Sequence, residues 1–295
     1  MKDLVHDGAS LLENTPFSDG VDRRDFLKAA ALGTGFAAAV LPVQAQAVIT
    51  TDAAGLLEGT ITIDVGGQAV PVYRAQPAGK TNLPVILVIS EIFGVHAYIA
   101  DVARRFARLG YLALAPDLFV RQGDATKVQD MAKLMKEIVS KTPDAQVMTD
   151  LDACVAWARQ NGGNLDKLGI TGFCWGGRIT WLYSAHNPSV KAGVAWYGRL
   201  VGEGNANSPT NPIDFAPNLT VPVLGLYGAR DTGIPQESIE KMKTALARGK
   251  SGSTFIVYPD AGHAFHADYR PSYVEHDAKD GWTRATAWFK EHGVI

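Results

Sequence analysis

Five residues near the middle of the chain, Gly172, Phe173, Cys174, Trp175 and Gly176, have the G-x-S-x-G spacing of a nucleophile elbow, with cysteine in the serine position. The spacing has a steric basis. A nucleophile on a sharp strand-to-helix turn crowds the residues two places away on each side, and only very small residues fit there, a need that Gly172 and Gly176 meet. The turn also sets the sulfur at a helix N-terminus, where free backbone N–H groups and the helix dipole favour a thiolate and a developing oxyanion. The chemistry expected of such a residue is nucleophilic attack on an acyl carbon.

A thiol nucleophile needs a base and a group that orients the base. Asp231 follows the apolar run 221–227, and His263 follows the run 254–258. Glu91 comes just after the run 85–90. Ligand sites of open α/β sheets lie beyond the carboxyl ends of the strands, so these positions belong to one edge. Nucleophile, acid and histidine in that chain order match the α/β-hydrolase order. His263 would take the proton from, or pair with, the sulfur of Cys174. Asp231 would hold the imidazole tautomer and support its positive charge.

The surrounding pattern supplies the elements that must hold these residues. Alternating residues predict a hairpin over 59–65 and 69–75, turning at Gly66 and Gly67. Short apolar runs predict buried strands at 85–90, 111–115, 168–171, 192–196, 221–227 and 254–258. Helical spacing predicts helices over 98–109, 124–140, 146–161, 177–185, 235–247 and 278–292. Strands alternating with helices indicate a three-layer α/β-hydrolase fold: a mostly parallel central sheet with an antiparallel N-terminal edge hairpin. Cys154 shares the inward face of the helix 146–161 and reads as core packing. Residues 202–218 form a loop rich in Gly, Asn and Pro, either a surface excursion or part of a cover over the site.

The chain has 295 residues, a net charge of -2, 20% charged and 46% hydrophobic residues. That balance suits a globular enzyme and gives no basis for a nucleic-acid surface or a polybasic membrane patch. Two cysteines, not spaced as a metal-type C-x-x-C, exclude a disulfide scaffold. His263 and His266 have a loose metal-like spacing but no carboxylate or cysteine arranged around them, so no metal is expected.

The N-terminus reads as a separate segment. Arg23, Arg24, Asp25, Phe26, Leu27 and Lys28 precede an alanine-rich apolar run over 29–43, and Ala45, Gln46 and Ala47 supply a small-x-small cleavage pattern. This is the pattern of a twin-arginine export signal cut after Ala47, with Asp22 where Ser or Thr is usual. The run is too short and alanine-rich for a membrane span. Residues 1–47 are therefore expected to be leader and 48–295 one catalytic domain. The expected partners are the export machinery and a small-molecule substrate, the expected state a monomer, and the expected location the periplasm, with the cytoplasm as the alternative.

The chain resembles the dienelactone hydrolase (carboxymethylenebutenolidase) family over essentially everything after the leader. The resemblance is carried by Gly172 to Gly177, by Glu91, Ile92, Phe93 and Gly94, by the segment Ala115 to Arg121, and by Gly262, His263, Ala264 and Phe265. It implies Cys174, Asp231 and His263 as a triad and Glu91 as a gate that keeps the resting thiol quiet until substrate arrives. It also implies Arg121 as an anchor for the substrate carboxylate. The oxyanion hole would be the backbone N–H groups of Trp175 and Ile92. Tyr197, just past a strand, either lines the pocket or packs in the core. A second family arginine, four residues after the catalytic histidine, is replaced here by Ala267, with His266 and Arg270 nearby but out of register.

These readings lead to a hydrolase of a small ester or enol-lactone, working through a thioester acyl-enzyme without cofactor or metal. A broader carboxylesterase or thioesterase on the same scaffold is the alternative. A non-catalytic binding or thiol-redox protein is a third reading; the spacing of the triad and the lack of a nearby resolving cysteine argue against it.

Overall fold

The structure, a computed structural model, describes residues 49–295; the expected leader with its arginine pair and cleavage site lies outside the described residues. The chain enters the sheet through strands β1 (Leu56–Val65) and β2 (Gln68–Pro77), which pair antiparallel with Val65 opposite Gln68. Gly66 and Gly67 both have positive φ, 62° and 86°, as a two-residue hairpin turn requires. Strand β3 (Leu83–Ile89) is buried along its whole length, so it is covered on both faces.

Helix α1 (Ala97–Arg108) then returns the chain to β4 (Leu112–Pro116), and α2 (Asp144–Gln160) carries it back across β3 to β5 (Gly163–Phe173). Helix α3 (Trp175–His186), β6 (Ala192–Trp196), β7 (Val223–Gly228), α4 (Gln236–Leu246), β8 (Thr254–Tyr258) and α5 (Glu275–Glu291) follow. Among the described residues the eight strands form one sheet in the order β1-β2-β4-β3-β5-β6-β7-β8. The β1–β2 and β2–β4 pairs are antiparallel and the rest parallel. This is the α/β-hydrolase architecture expected from the sequence.

Two helical layers flank the sheet. On one face α1 meets α5 through aromatic contacts, Phe106 with Trp282 (ring centroids 4.7 Å apart) and with Phe289 (6.0 Å). On the other, α2 is tied to α3 where Asp152 accepts from Tyr183 Oη (3.0 Å) and bonds His186 (2.8 Å). Burying a ring such as Phe106 contributes about 2–3 kcal/mol of hydrophobic stabilisation. Cys154 lies fully inside this core, as its helical position predicted, and burial pushes its thiol far up in pKa. No helix among the described residues is long and apolar enough to cross a membrane.

The strand order reverses at β3. The chain leaves β3 to one side, for β4, and returns to the other, for β5. The crevice beyond the carboxyl ends of β3 and β5 is therefore the topological switch point where α/β sheets place ligands. Glu91 and Cys174 follow these two strands.

One expected element is broken up. The segment 124–140 is not a single helix but a 3-10 turn (Ala125–Lys127), a short α turn (Met131–Lys133), a π turn (Leu134–Ile138) and a second 3-10 turn (Val139–Lys141). The break falls between two capped starts. Asp124 accepts from the amide of Thr126, and Asp130 from that of Lys133, each capping a new start. Val128, extended at φ -88° and ψ 108°, separates them. The loop 202–218 also differs from plain irregular chain, because it holds a helical turn at Pro212–Phe215 and a 3-10 turn at Ala216–Asn218.

Candidate active site

Cys174 is the hinge between β5 and α3. It has φ 54° and ψ -116°, a conformation a non-glycine residue adopts only when its surroundings enforce it. Its amide donates to the Trp196 carbonyl (3.0 Å), and its own carbonyl accepts from Gly177 (2.9 Å) and Arg178 (3.2 Å), the first bonds of α3. The flanking glycines are sterically obligatory. A methyl group on Gly172 would lie 2.2 Å from the Gly176 carbonyl oxygen, and one on Gly176 would lie 2.4 Å from the Ile89 carbonyl oxygen. Gly177 and Gly198 are equally constrained, since a methyl on Gly177 would lie 2.4 Å from the Trp196 carbonyl oxygen and one on Gly198 would lie 2.3 Å from the Arg178 nitrogen. Small residues thus press the start of α3 onto the ends of β3 and β6.

Asp231 and His263 are brought together by a similar close approach. At Gly228, the end of β7, an added methyl would lie 2.3 Å from the Ala261 carbonyl oxygen, so only glycine lets the loop after β8 cross here. Arg230 donates its amide to that same carbonyl (2.9 Å). The crossing sets His263 Nδ1 2.7 Å from Asp231 Oδ2. Asp231 Oδ1 accepts from the amides of Gly233 (3.0 Å) and Ile234 (3.2 Å), which fixes the carboxylate. Burial by itself would lower the His263 pKa. The negative charge of Asp231, then that of Cys174, outweighs burial and holds the imidazole well above the usual histidine value. The other ring nitrogen, Nε2, is buried with no hydrogen-bond partner among the described residues.

Cys174, Trp175, Tyr197 and His263 line one narrow cleft whose empty space, mouth included, is about 450 Å³. Val139 and Ser140 close it from the broken segment, and Asn205 and Ser208 from the loop 202–218. That loop is stitched to its neighbour: the amide of Asp144 donates to the Asn207 carbonyl, and Asn207 Nδ2 to the Ser140 carbonyl, each at 2.8 Å. Tyr197 lines the cleft and also packs edge-on against His263 (5.2 Å) and Phe265 (5.4 Å). Trp175 stands over Phe119 (4.7 Å).

Glu91 is wholly buried in the turn after β3, next to Ile92. Its Oε2 accepts from the Tyr269 hydroxyl (2.5 Å) and lies 3.6 Å from His96 Nε2, while Oε1 has no hydrogen-bond partner. Burial alone would raise the carboxyl. The charge of His96 close by, the Arg270 guanidinium and the Tyr269 hydroxyl overcome it and hold Glu91 below the usual range. Arg270 lies over the Phe93 ring at 5.3 Å and feels the charges of Glu91 and Cys174. His266 is absorbed elsewhere. Tyr98 Oη is 2.6 Å from its Nδ1, aromatic rings surround it, and burial drives its pKa well down.

Arg121 is placed differently from a waiting anchor. Its guanidinium makes a two-point bridge to the buried Asp150 of α2, at 2.7 and 2.8 Å, and it does not line the cleft. His96, Tyr269 and Arg199 were not foreseen as site residues, and Arg270 was noted only as an out-of-register neighbour of the missing family arginine. For Arg199 a signal existed: it follows the end of β6, the same rule of position that pointed to Glu91, Asp231 and His263.

The family follows from comparison. The model of the dienelactone hydrolase family matches residues 70–293, most of the chain. The chain belongs to the dienelactone hydrolase family. Among its relatives is a protein of Methylorubrum extorquens provisionally named a carboxymethylenebutenolidase, 57% identical over 90% of this chain and 92% of that one. A Salmonella typhimurium protein with the same provisional name is 52% identical over 88% and 96%. A crystal structure of a provisionally named dienelactone hydrolase from Klebsiella pneumoniae superposes with a TM-score of 0.78 and 54% identity, over 80% of this chain and 99% of that one. As a member of this family the protein is a hydrolase.

Proposed function

We propose that the protein hydrolyses a small ester or enol-lactone with Cys174 as nucleophile, His263 as base and acid, and Asp231 as the group that orients the imidazole. The observation that carries this reading is His263, bound through Nδ1 to Asp231 and sharing one cleft and an electrostatic coupling with Cys174. The sulfur attacks the acyl carbon, forming a C–S bond and a tetrahedral oxyanion. The amides of Trp175, first residue of α3, and Ile92 donate to that oxygen; neither has a backbone acceptor among the described residues. Collapse breaks the C–O bond, and the leaving oxygen takes a proton from His263. Water, deprotonated by His263, then cleaves the thioester and restores the thiol.

Glu91 fits a gating role. A buried carboxylate with an oxygen lacking a partner costs stability, so its presence is better explained by function. Its negative charge near the site opposes a second negative charge on sulfur until substrate arrives. A broader carboxylesterase or thioesterase is the second reading. It is favoured by Arg121, whose fork is engaged by Asp150, so a role at a substrate carboxylate would require that bridge to open. Turnover of a panel of small esters, lactones and thioesters by wild type and by Cys174→Ala tests the proposal. Full activity in the variant would remove Cys174 from the mechanism. We further propose that residues 1–47 direct export through the twin-arginine route to the periplasm, on the strength of the Arg23 and Arg24 motif.

A further inference from the structure

We propose that Arg199 is the residue that selects an anionic substrate in this protein, holding a carboxylate of the acyl portion while Cys174 attacks. The inference rests on the hydrolytic reading above. Among the described residues, the arginines near the carboxyl edge of the sheet are separated by their partners, and Arg230, after β7, is paired with Asp260. Arg121 is neutralised by a two-point bridge to Asp150. Arg178 is neutralised the same way by Asp144, at 2.8 and 2.7 Å, with a further bond to the Thr210 carbonyl. Arg270 is committed to the Glu91 and Tyr269 group. Arg199 has no hydrogen bond or ion pair with any described residue, and it lines the cleft that holds Cys174 and His263.

Desolvation makes that vacancy informative. Arg199 is half-buried, and its Nε is buried without a hydrogen-bond partner. A guanidinium that leaves water without a counter-charge is costly, and a ligand oxyanion arriving there repays the cost. No aspartate or glutamate lines the cleft, and with Arg178 bridged to Asp144 it is Arg199 that leaves this wall favouring an anion. Ser140, Asn205 and Ser208 supply neutral polar groups on the same wall. The backbone holds Arg199 in place: Tyr197, at φ 38°, and Gly198, pressed against the Gly177–Arg178 peptide, fix the turn from which it projects. The site would therefore take a short acyl chain carrying a carboxylate a few atoms from the scissile carbonyl.

The test compares two esters of similar size, mono-p-nitrophenyl glutarate and p-nitrophenyl pentanoate. Arg199→Gln should lose about ten- to a hundredfold in kcat/KM on the glutarate ester and less than about twofold on the pentanoate. Arg199→Lys should recover part of the loss, since it keeps charge without the fork. Arg121→Gln should leave the preference for the anionic ester in place. Equal losses on both esters in Arg199→Gln, or a selective loss in Arg121→Gln, would overturn the proposal. A binding measurement separates it from the hydrolytic reading. Free glutarate should protect Cys174 from iodoacetamide in wild type and not in Arg199→Gln; equal protection in both overturns the anchor whether or not either ester turns over. Turnover of the pentanoate that survives Cys174→Ala would instead sink the hydrolytic reading.

Discussion

Gly172 and Gly176 face each other across the Cys174 turn so closely that a methyl group on Gly172 would sit 2.2 Å from the Gly176 carbonyl oxygen. The obstructing atom is backbone at the head of α3, tied down by the Thr180 hydroxyl (2.9 Å), so it cannot yield as a side chain would. Gly172→Ala should therefore destabilise the fold by more than about 3 kcal/mol, a fall in Tm of roughly 6 °C or more. A thermal melt checks this, and an unchanged Tm would mean that the elbow is looser than its geometry.

The Asp231–His263 pair predicts a pH dependence. Asp231 helps hold His263 well above the ordinary value of about 6.5, so the imidazolium persists around neutral pH and favours a thiolate to the extent that Glu91 permits one. Asp231→Asn removes that support. Iodoacetamide alkylation of wild-type Cys174, held slow by Glu91, should change little as pH falls from about 8.5 to 6.5, whereas the Asp231→Asn rate should fall on the order of tenfold in that window. The same raised pKa stabilises the fold fully below about 6.5 and fades as pH rises through the folded value. The Tm difference between wild type and variant should accordingly shrink with rising pH. Coincident alkylation profiles would contradict the coupling.

Glu91→Gln removes a buried charge while keeping an acceptor for the Tyr269 hydroxyl. In the resting enzyme Cys174 should become about tenfold more reactive toward iodoacetamide, because a negative neighbour is gone. Ester turnover should nevertheless fall, and Tm should hold or rise. Unchanged alkylation together with unchanged turnover would remove Glu91 from the gate.

The contrast between what could and could not be read in advance has physical causes. That Cys174, Asp231 and His263 lie at one edge of the sheet was legible because each follows a strand, and strand ends share one edge of a sheet. The Glu91 environment was not, because Tyr269 meets it across 178 residues of sequence. Arg121 looked like an anchor because its loop position is right; Asp150, which occupies it, reads in sequence as one more polar residue on α2. The helix expected over 124–140 has true helical spacing, but Asp130 takes the Lys133 amide that a continuous helix would bond to the Gln129 carbonyl, and Val128 is extended.

Export makes a separate prediction. Replacing Arg23 and Arg24 together by lysine should leave unprocessed precursor in the cytoplasm, read by fractionation and by the mass of the recovered chain. Processed protein in the periplasm at wild-type yield would contradict the signal.

The central claim is a covalent acyl group on Cys174. Wild-type enzyme mixed with excess p-nitrophenyl ester, quenched in acid within the first turnovers and digested, should yield the peptide containing Cys174 with the mass of the acyl group added, labile to hydroxylamine as a thioester is. The peptide containing Cys154 should be unmodified, since that thiol is fully buried. Continued turnover with no adduct at Cys174, or with an adduct on another residue, would contradict the account.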